Sequence, residues 1–266
     1  MKKFSIITIN FNNKEGLRKT LDSVVCQTFT DYELIVIDGG STDGGAALLE
    51  EYGKYITFGV SEPDKGVYNA QNKGVQHASG EYCIFMNSGD SFYSNDVLEC
   101  VAKELKDGVD IAVGNTYFYK NESENRYAYA PEYITLWRVY IGINHQSAFI
   151  KRQLLLDNPY DETLKICADW KFWLQELVKN ERLYQHLNII VAKYDLNGVS
   201  YNEDTRLAEE HSVMQQLFPQ PIVREYEERY NSSIDRFHSI MNNIDGESCV
   251  AKILSFVAKI LLKVGL

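Results

Sequence analysis

The chain has 266 residues, of which 45% are hydrophobic and 24% are charged, and its formal net charge is −10. These proportions are ordinary for a globular protein with one large α/β domain, or with one domain and an extension. The acidic balance excludes a general nucleic-acid binder, because such a protein needs a basic surface to displace counterions from phosphate.

The five cysteines are scattered along the chain, odd in number, and form no C-x-x-C pair. Neither a disulfide framework nor a zinc site is expected, and reduced thiols in a cytoplasm are the simpler interpretation. No apolar signal core precedes the first strand-like segment, and no run approaches the roughly 20 apolar residues of a membrane span. We therefore expect a cytoplasmic protein.

Strands and helices are predicted to alternate along the first hundred residues. Uninterrupted apolar runs between amphipathic helices indicate a parallel sheet that is covered on both faces. The apolar runs predict strands at 4–9, 34–37, 56–60, 82–86 and 111–113, and apolar residues at helical spacing predict helices at 17–25, 46–52, 67–78 and 96–105.

After about residue 115 the pattern loosens. The polar and aromatic stretch 117–133 predicts loops or an excursion at the sheet edge. Strands are predicted at 146–150 and 189–194, and a helix at 169–178. From residue 203 onward the sequence is mostly helical in pattern.

Polar clusters follow four of the predicted strands, at 8–13, 38–43, 62–65 and 87–90. In parallel α/β sheets, ligands bind at the carboxyl ends of the strands. These clusters are therefore the first indication of a binding site.

Two of the clusters carry specific chemistry. In D-G-G-S-T-D at 38–43, two glycines allow a tight turn close to a ligand, although a plain turn with Ser41 or Asp43 capping the next helix remains an alternative. In N-S-G-D at 87–90, Asp90 can hold Mg²⁺ or Mn²⁺ against a diphosphate, although such a sequence alone is more often a turn.

Two further side chains are candidates. Asp169 begins an amphipathic helix, so it is either a helix cap or a general base. His145 precedes a predicted strand, where a single histidine is more often structural than catalytic. The chain has no P-loop, no G-x-G-x-x-G after the first strand and no G-x-S-x-G, which removes the obvious ATPase, dinucleotide-binding and hydrolase interpretations.

Together these motifs resemble those of family 2 glycosyltransferases with the GT-A fold, especially the bacterial members that build polysaccharides. The resemblance covers about residues 3 to 200, and several motifs in order are far more specific than any one of them. The matching stretches are FSIITINFN at 4–12, LIVIDGGSTD at 34–43, SEPDKGVYNAQNKG at 61–74, GEYCIFMNSGD at 80–90, NHQSAFI at 144–150 and ADWKFWL at 168–174.

The resemblance implies a mostly parallel, Rossmann-like sheet flanked by helices, with a catalytic domain at 1–200 and a helical extension at 201–266. It also implies an inverting transferase that moves a sugar from a nucleoside diphosphate sugar to an acceptor hydroxyl. The donor is expected to be a UDP-sugar, and the acceptor a glycan or a lipid-linked glycan of surface polysaccharide synthesis. The expected cofactor is Mn²⁺ or Mg²⁺.

The resemblance also assigns roles to residues. Asp90 is expected to hold the metal ion, and Asp169 to act as the catalytic base. The family's usual D-x-D is reduced here to the single acid Asp90, and the acid that often precedes the base is Ala168. The donor is expected to contact Thr8, Asn10, Asp38, Gly40, Ser41, Asp64, Lys65, Asn72, Asn87 and His145.

The C-terminal stretch 249–266 predicts an amphipathic helix, with Lys252, Lys259 and Lys263 on one face. Such a face fits an anionic membrane surface, which would place the protein at the inner face of the cell membrane. The alternatives are docking on the domain or on a second subunit in a homodimer.

Three other functions compete with the transferase. A sugar-nucleotide pyrophosphorylase would carry a glycine- and arginine-rich loop after the first strand, where this chain has N-F-N-N-K at 10–14. A glycoside hydrolase would need two carboxylates flanking a bond, but not the strand-end clusters. A nucleotide-sugar-binding protein without turnover is the third alternative.

Overall fold

The computed structural model describes residues 2–120, 125–196 and 202–242, with side chains described as far as residue 232. The chain separates into two compact units, Met1–Thr205 and Arg206–Leu266. The functional domain limits proposed from the sequence, 1–200 and 201–266, stay a prediction.

The first unit is built on one nine-stranded sheet. Its strand order is β3-β2-β1-β4-β8-β6-β9-β5, and β7 pairs with β6 outside this path. The strands are β1 (Phe4–Asn10), β2 (Tyr32–Asp38), β3 (Phe58–Ser61), β4 (Tyr82–Phe85), β5 (Ser91–Phe92), β6 (Ile111–Tyr119), β7 (Asn125–Ala128), β8 (Ala148–Lys151) and β9 (Tyr184–Asp195).

Helices connect these strands. The helices of the first unit are α1 (Lys14–Val25), α2 (Ala47–Glu51), α3 (Val67–His77), α4 (Val97–Glu104), α5 (Leu136–Tyr140), α6 (Arg152–Asp157) and α7 (Ala168–Trp173). A 3₁₀ turn covers His145–Ser147, and a π-helical stretch, Leu174–Lys179, follows α7. The helices α8 (Glu203–Leu217) and α9 (Gln220–Asn242) follow β9.

The predicted α/β architecture with a mostly parallel sheet is confirmed. Strands β1 to β4 are mutually parallel, and β6 is parallel to β9. Strand β8 lies between β4 and β6 and is antiparallel to both. Because two reversals restore the direction, β6 and β9 run the same way as β4, and their carboxyl ends reach the same edge of the sheet.

Apolar burial explains why β1 and β2 are uninterrupted runs. Every residue of β1 is buried, and the side chains of Phe4 and Ile6 join Leu17 and Leu21 of α1 in the main core cluster. Full burial of one such side chain contributes roughly 1.5–3 kcal/mol. Helix α1 begins where the Asn13 side chain caps it by accepting a hydrogen bond from the Gly16 amide at 3.1 Å.

Some predicted limits shift in the structure. The stretch 117–133 is an edge excursion, because β6 continues to Tyr119 and pairs with β7 in antiparallel register. The strand predicted at 146–150 starts only at Ala148, since the 3₁₀ turn uses the two preceding residues.

The second unit contains α9 and most of α8. The predicted amphipathic stretch 249–266 lies outside the described residues. Among the residues that the structure describes, no helix is long and apolar enough to cross a membrane.

Candidate active site

The loop after β2, residues 38–45 (the β2 loop), is organised around the Asp38 carboxylate. Its Oδ1 accepts from Asn10 Nδ2 at 2.7 Å and from Ser41 Oγ at 2.6 Å. Its Oδ2 accepts from the Ser41 amide at 2.9 Å and from Ser61 Oγ at 2.6 Å. Four donors therefore occupy a carboxylate with no exposed surface, and these bonds fix the turn.

The charge of Asp38 is stabilised within the protein. Burial alone would raise the pKa of this carboxyl, but the hydrogen bonds from Ser41, Ser61 and Asn10 outweigh burial and lower the pKa below its ordinary value. Gly40 adopts a φ of +80°, a left-handed conformation that glycine tolerates best. The loop is thus ordered around an ionised Asp38.

Asn10 links three strand ends. Its side-chain Nδ2 donates to Asp38 of β2, while its side-chain Oδ1 accepts from Ser88 Oγ of the loop after β4 at 2.7 Å. Asn12 continues the seam, because its side-chain oxygen accepts from the Thr42 amide at 2.8 Å. The polar clusters that the sequence places at strand ends therefore meet, as the parallel sheet predicts.

The loop after β4, residues 87–90 (the β4 loop), is fixed by hydrogen bonds to a side chain of α1. Thr20 Oγ1 donates to the Asp90 carbonyl at 2.6 Å and accepts from the Gly89 amide at 3.0 Å. Gly89 has a φ of +105°, so glycine suits the turn that aims Asp90 into the site.

The Asp90 carboxylate is buried with few donors. The Asp195 amide donates to Oδ1 at 3.3 Å, and the Gln146 side chain supplies a further hydrogen bond. Burial raises the pKa of Asp90 to about 7, and these bonds together with the charge of His145 offset the burial only in part. A nearby cation would stabilise the ionised form of this carboxyl.

Asp169, at the start of α7, has a hydrogen-bonding side chain beside each of its carboxylate oxygens. His145 Nδ1 lies 2.8 Å from Oδ2, and because an ionised carboxylate only accepts, Nδ1 carries the proton. The Tyr68 hydroxyl of α3 lies 2.9 Å from Oδ1 and 2.5 Å from the Ile166 carbonyl, so its single proton serves one of these two acceptors. The side chains of Asp169 and His145 are only 18% and 17% exposed.

The pKa values of this pair move apart. Burial favours neutral forms of both groups, but the mutual hydrogen bond and charge attraction dominate, lowering the pKa of Asp169 and raising that of His145. The other ring nitrogen of His145 faces Asn87 Nδ2 at 3.3 Å. This contact joins the Asp169–His145 pair to the β4 loop.

The structure brings Asn10, Asp38, Gly40 and Ser41 together in one cluster. Asp64 lies beside them, since a Cβ on Gly39 would meet its Oδ2 at 2.6 Å. A second cluster joins Asn87, Asp90, His145 and Asp169.

Three predicted donor contacts lie apart from these clusters. Thr8 is buried, and its hydroxyl has no hydrogen-bond partner among the described residues. Asn72 directs its side chain to Tyr160 and Glu162, with bonds of 2.9 and 3.0 Å. Lys65 is exposed, and its backbone amide donates to Asn69.

Sequence reasoning missed several side chains of the site. Tyr68 contacts Asp169 across 101 residues, and Gln146 contacts Asp90. Phe11, 66% exposed, lies next to Gly39 at the end of β1. Of these residues, only Phe11 could have been recognised from the sequence, because a large apolar residue directly after a buried strand is unusual on a polar loop.

A divalent ion fits Asp90 as a single protein ligand. Among the described residues, no group of three His, Cys, Asp or Glu side chains could hold a metal ion. Mg²⁺ and its analogues often take only one or two carboxylates and complete their shell with substrate phosphates and water. The buried, poorly satisfied Asp90 carboxylate suits such an ion.

Comparison with known proteins identifies the family of this chain. The model of the Glycosyl transferase family 2 matches residues 5–179. The chain is similar to a Mycobacterium bovis PGL/p-HBAD biosynthesis glycosyltransferase, with 29% identity over 73% of this chain and 77% of that protein. It is also similar to Escherichia coli WfgD, a UDP-Glc:alpha-D-GlcNAc-diphosphoundecaprenol beta-1,3-glucosyltransferase, with 27% identity over 84% of this chain and 89% of that protein.

Two solved structures share the fold. The structure of S. aureus TarS 1-349 in complex with UDP has a TM-score of 0.70 at 19% identity, covering 91% of this chain and 75% of that chain. The mannosyltransferase PcManGT from Pyrobaculum calidifontis, in complex with GDP-Man and Mn²⁺, has a TM-score of 0.64 at 14% identity, covering 98% and 80%. These similarities confirm the expected GT-A fold. Since the family model spans more than half of the chain, the protein belongs to glycosyl transferase family 2 and is a glycosyltransferase that uses a nucleotide-sugar.

Proposed function

We propose that this enzyme inverts the anomeric carbon as it transfers a hexosyl group from a UDP-sugar to a hydroxyl of a lipid-linked glycan in surface polysaccharide synthesis. The observation that carries the proposal is the buried Asp169 carboxylate, which contacts His145 and Tyr68 in the cluster that also contains Asp90. The UDP of the TarS complex and the lipid-linked acceptor in the name of WfgD support the donor and acceptor classes.

The donor nucleotide lies over the β2 loop in this proposal. Asp38 is fully occupied by protein donors, so it orders the loop and contacts a ligand only by exchanging one of them. The exposed ring of Phe11 stands at the same place and offers a flat apolar face for stacking against the base. Asp64, beside Gly39, supplies acceptor oxygens for the ribose hydroxyls.

Asp90 would hold a divalent ion against the diphosphate, and that ion supplies neutralisation of the negative charge on the leaving group. Two side chains of the protein adjoin Asp90. Asn87 presents an amide and His145 presents an imidazole toward the same space.

Asp169 removes the proton of the acceptor hydroxyl. His145 donates to one of its oxygens, the Tyr68 hydroxyl faces the other, and the Trp170 amide supplies a further bond. Because a carboxylate offers about four lone-pair sites, room remains for the acceptor. The acceptor oxygen forms its bond to the anomeric carbon as the bond from that carbon to the diphosphate oxygen breaks. Attack from the face opposite the leaving group inverts the centre, and UDP departs.

The test begins with titration calorimetry of UDP, GDP and dTDP, each with and without Mn²⁺. We expect metal-dependent binding of UDP that is tighter than that of the other two nucleotides. Turnover of a UDP-sugar must then release UDP, and nuclear magnetic resonance of the product must show the inverted anomer. Retention of the anomer would contradict the mechanism, and donor binding without turnover would favour a binding protein.

Contact of residues 249–266 with the inner face of the membrane and homodimer formation stay predictions. A vesicle sedimentation assay with anionic lipids checks the first, and light scattering checks the second.

A further inference from the structure

The sheet places two halves of a substrate site side by side. The nucleotide-side residues lie at the ends of β1 and β2, and Asp90 and His145 lie past β4 in the strand order. Strands β6 and β9 come next, with their carboxyl ends at the same edge. An acceptor that meets the donor sugar at Asp169 must therefore approach over β6 and β9.

Three side chains stand in a row on this part of the edge. Phe118 of β6 pairs with Tyr194 of β9 on one side and with Arg126 of β7 on the other. The rings of Phe118 and Tyr194 are 5.2 Å apart, and the Arg126 guanidinium lies 5.2 Å from the centre of the Phe118 ring. Phe118 and Tyr194 are half-buried, while Arg126 is exposed.

The inner end of this row lies at Asp90. Tyr194 directly precedes Asp195, whose amide donates to the Asp90 carboxylate at 3.3 Å, so the end of β9 adjoins Asp90. Thr116, two residues before Phe118 and hence on the same face of β6, bonds to Ser147 at 2.7 Å, two residues from His145. Tyr194, Phe118 and Arg126 thus lead outward from the reaction centre.

We propose that Tyr194, Phe118 and Arg126 form the acceptor subsite and select a sugar that carries a phosphate or diphosphate at its anomeric carbon. This inference rests on the proposed function, because it names the acceptor of the same reaction. The two aromatic faces pack against the C–H face of a pyranose ring. The planar guanidinium at the outer end binds the phosphate with paired hydrogen bonds.

The charge of Arg126 is available for this purpose. No ion pair within the described ranges uses Arg126, which contacts the Phe118 ring instead. In a chain of net charge −10, an exposed guanidinium at the outer end of this row is well placed to select an anion.

The opposite face of the same strands supplies a matched control. Lys193 lies 4.1 Å from the centre of the Tyr119 ring, so this pair is also a cation over an aromatic ring. Adjacent residues of a strand point to opposite faces, and Tyr119 therefore points away from the face of Phe118. Lys193→Gln therefore removes one positive charge, as Arg126→Gln does, but from the face opposite to that of Phe118.

The experiment measures binding of sugar 1-phosphates of glucose, galactose and N-acetylglucosamine, each against its methyl glycoside, with and without UDP and Mn²⁺. We expect the wild type to bind one sugar 1-phosphate at least about tenfold more tightly than its methyl glycoside, as a charge-assisted contact allows. Arg126→Gln should abolish this preference, and Lys193→Gln should retain it. Phe118→Leu should weaken both ligands alike.

The outcomes separate the inference from the proposed function. A wild type without phosphate preference, or an Arg126→Gln variant that keeps it, overturns the acceptor subsite even when UDP binds. Failure of UDP, GDP and dTDP to bind overturns the proposed function, while the phosphate preference is still measured in the absence of nucleotide. Melting temperatures of the variants exclude unfolding as the cause of a lost preference.

Discussion

The β2 loop and the β4 loop each bury an aspartate at the end of a parallel strand, but they complete it differently. Asp38 receives four hydrogen bonds from the protein, and its pKa falls. Asp90 receives a backbone bond of 3.3 Å and a side-chain bond, and its pKa rises to about 7. The Asp38 carboxylate is therefore stabilised as an anion by the protein alone. The Asp90 carboxylate would be stabilised as an anion by a bound cation.

This difference predicts that turnover depends on the β4 loop and on the Asp169–His145 pair that contacts it. Replacement of Asp169 is the strongest test of this prediction. We expect Asp169→Asn to lower kcat by about 1,000-fold, within the range for loss of a general base, while the Kd for UDP changes less than about twofold. Steady-state kinetics and calorimetry measure the two. Asp157→Asn, an exposed aspartate at the end of α6, is the control. Equal loss of turnover and of UDP binding would contradict a role for Asp169 in catalysis alone.

The β2 loop should respond through stability. Asp38→Asn places a donating NH2 group where a carboxylate oxygen accepts from protein donors. We therefore expect a loss of about 3 kcal/mol in the free energy of unfolding at pH 7, as for unsatisfied buried groups. Because the folded pKa of Asp38 is lowered, its contribution is present above the unfolded pKa and is lost as pH falls through the folded pKa. Urea unfolding at pH 7 and at about pH 3, which is below the ordinary pKa of Asp, should show the difference shrinking.

The same substitution in the β4 loop should have the opposite sign. The raised pKa of Asp90 means that its folded state keeps a proton that the unfolded state has released, so this group destabilises the fold as pH rises from about 4 to about 7. We expect Asp90→Asn to gain about 2 kcal/mol at pH 8 without metal, and nothing near pH 4. Thermal unfolding in a chelator checks the gain.

Asp90→Asn should also remove the effect of Mn²⁺ on UDP binding, since it removes the carboxylate proposed to hold the ion. Destabilisation at pH 8 would show that Asp90 is a structural group like Asp38, and unchanged metal dependence would remove it from the metal site.

The sequence predicts the contacts of the β2 loop better than those of the Asp169–His145 pair for a physical reason. Asp38 and Ser41 are three residues apart, so a turn motif alone brings them together. Tyr68 and Asp169 are 101 residues apart, and only the packing of α3 against α7 and its loop determines that contact. Both faces of β1 are buried, so strand alternation could not show that Thr8 points into the core.

Replacement of Tyr68 has the smallest expected effect, and it tests how hydrogen bonding tunes Asp169 in the Asp169–His145 pair. Its hydroxyl helps to lower the pKa of Asp169, so Tyr68→Phe should raise that pKa and move the acidic limb of the kcat–pH profile to higher pH. Since one hydrogen bond to a charged group contributes about 1.5–3 kcal/mol, we expect kcat to fall about tenfold with unchanged UDP affinity.

Tyr160→Phe is the matched control for Tyr68→Phe. The ring of Tyr160 lies 5.6 Å from that of Tyr68, and its buried hydroxyl has no hydrogen-bond partner among the described residues. Removing this hydroxyl should leave the profile in place. A shift of the kcat–pH profile in both variants would show that packing causes the effect. A shift in neither would show that the Tyr68 hydroxyl donates its proton to the Ile166 carbonyl. In that case His145 and the backbone amide of Trp170 orient Asp169 without Tyr68.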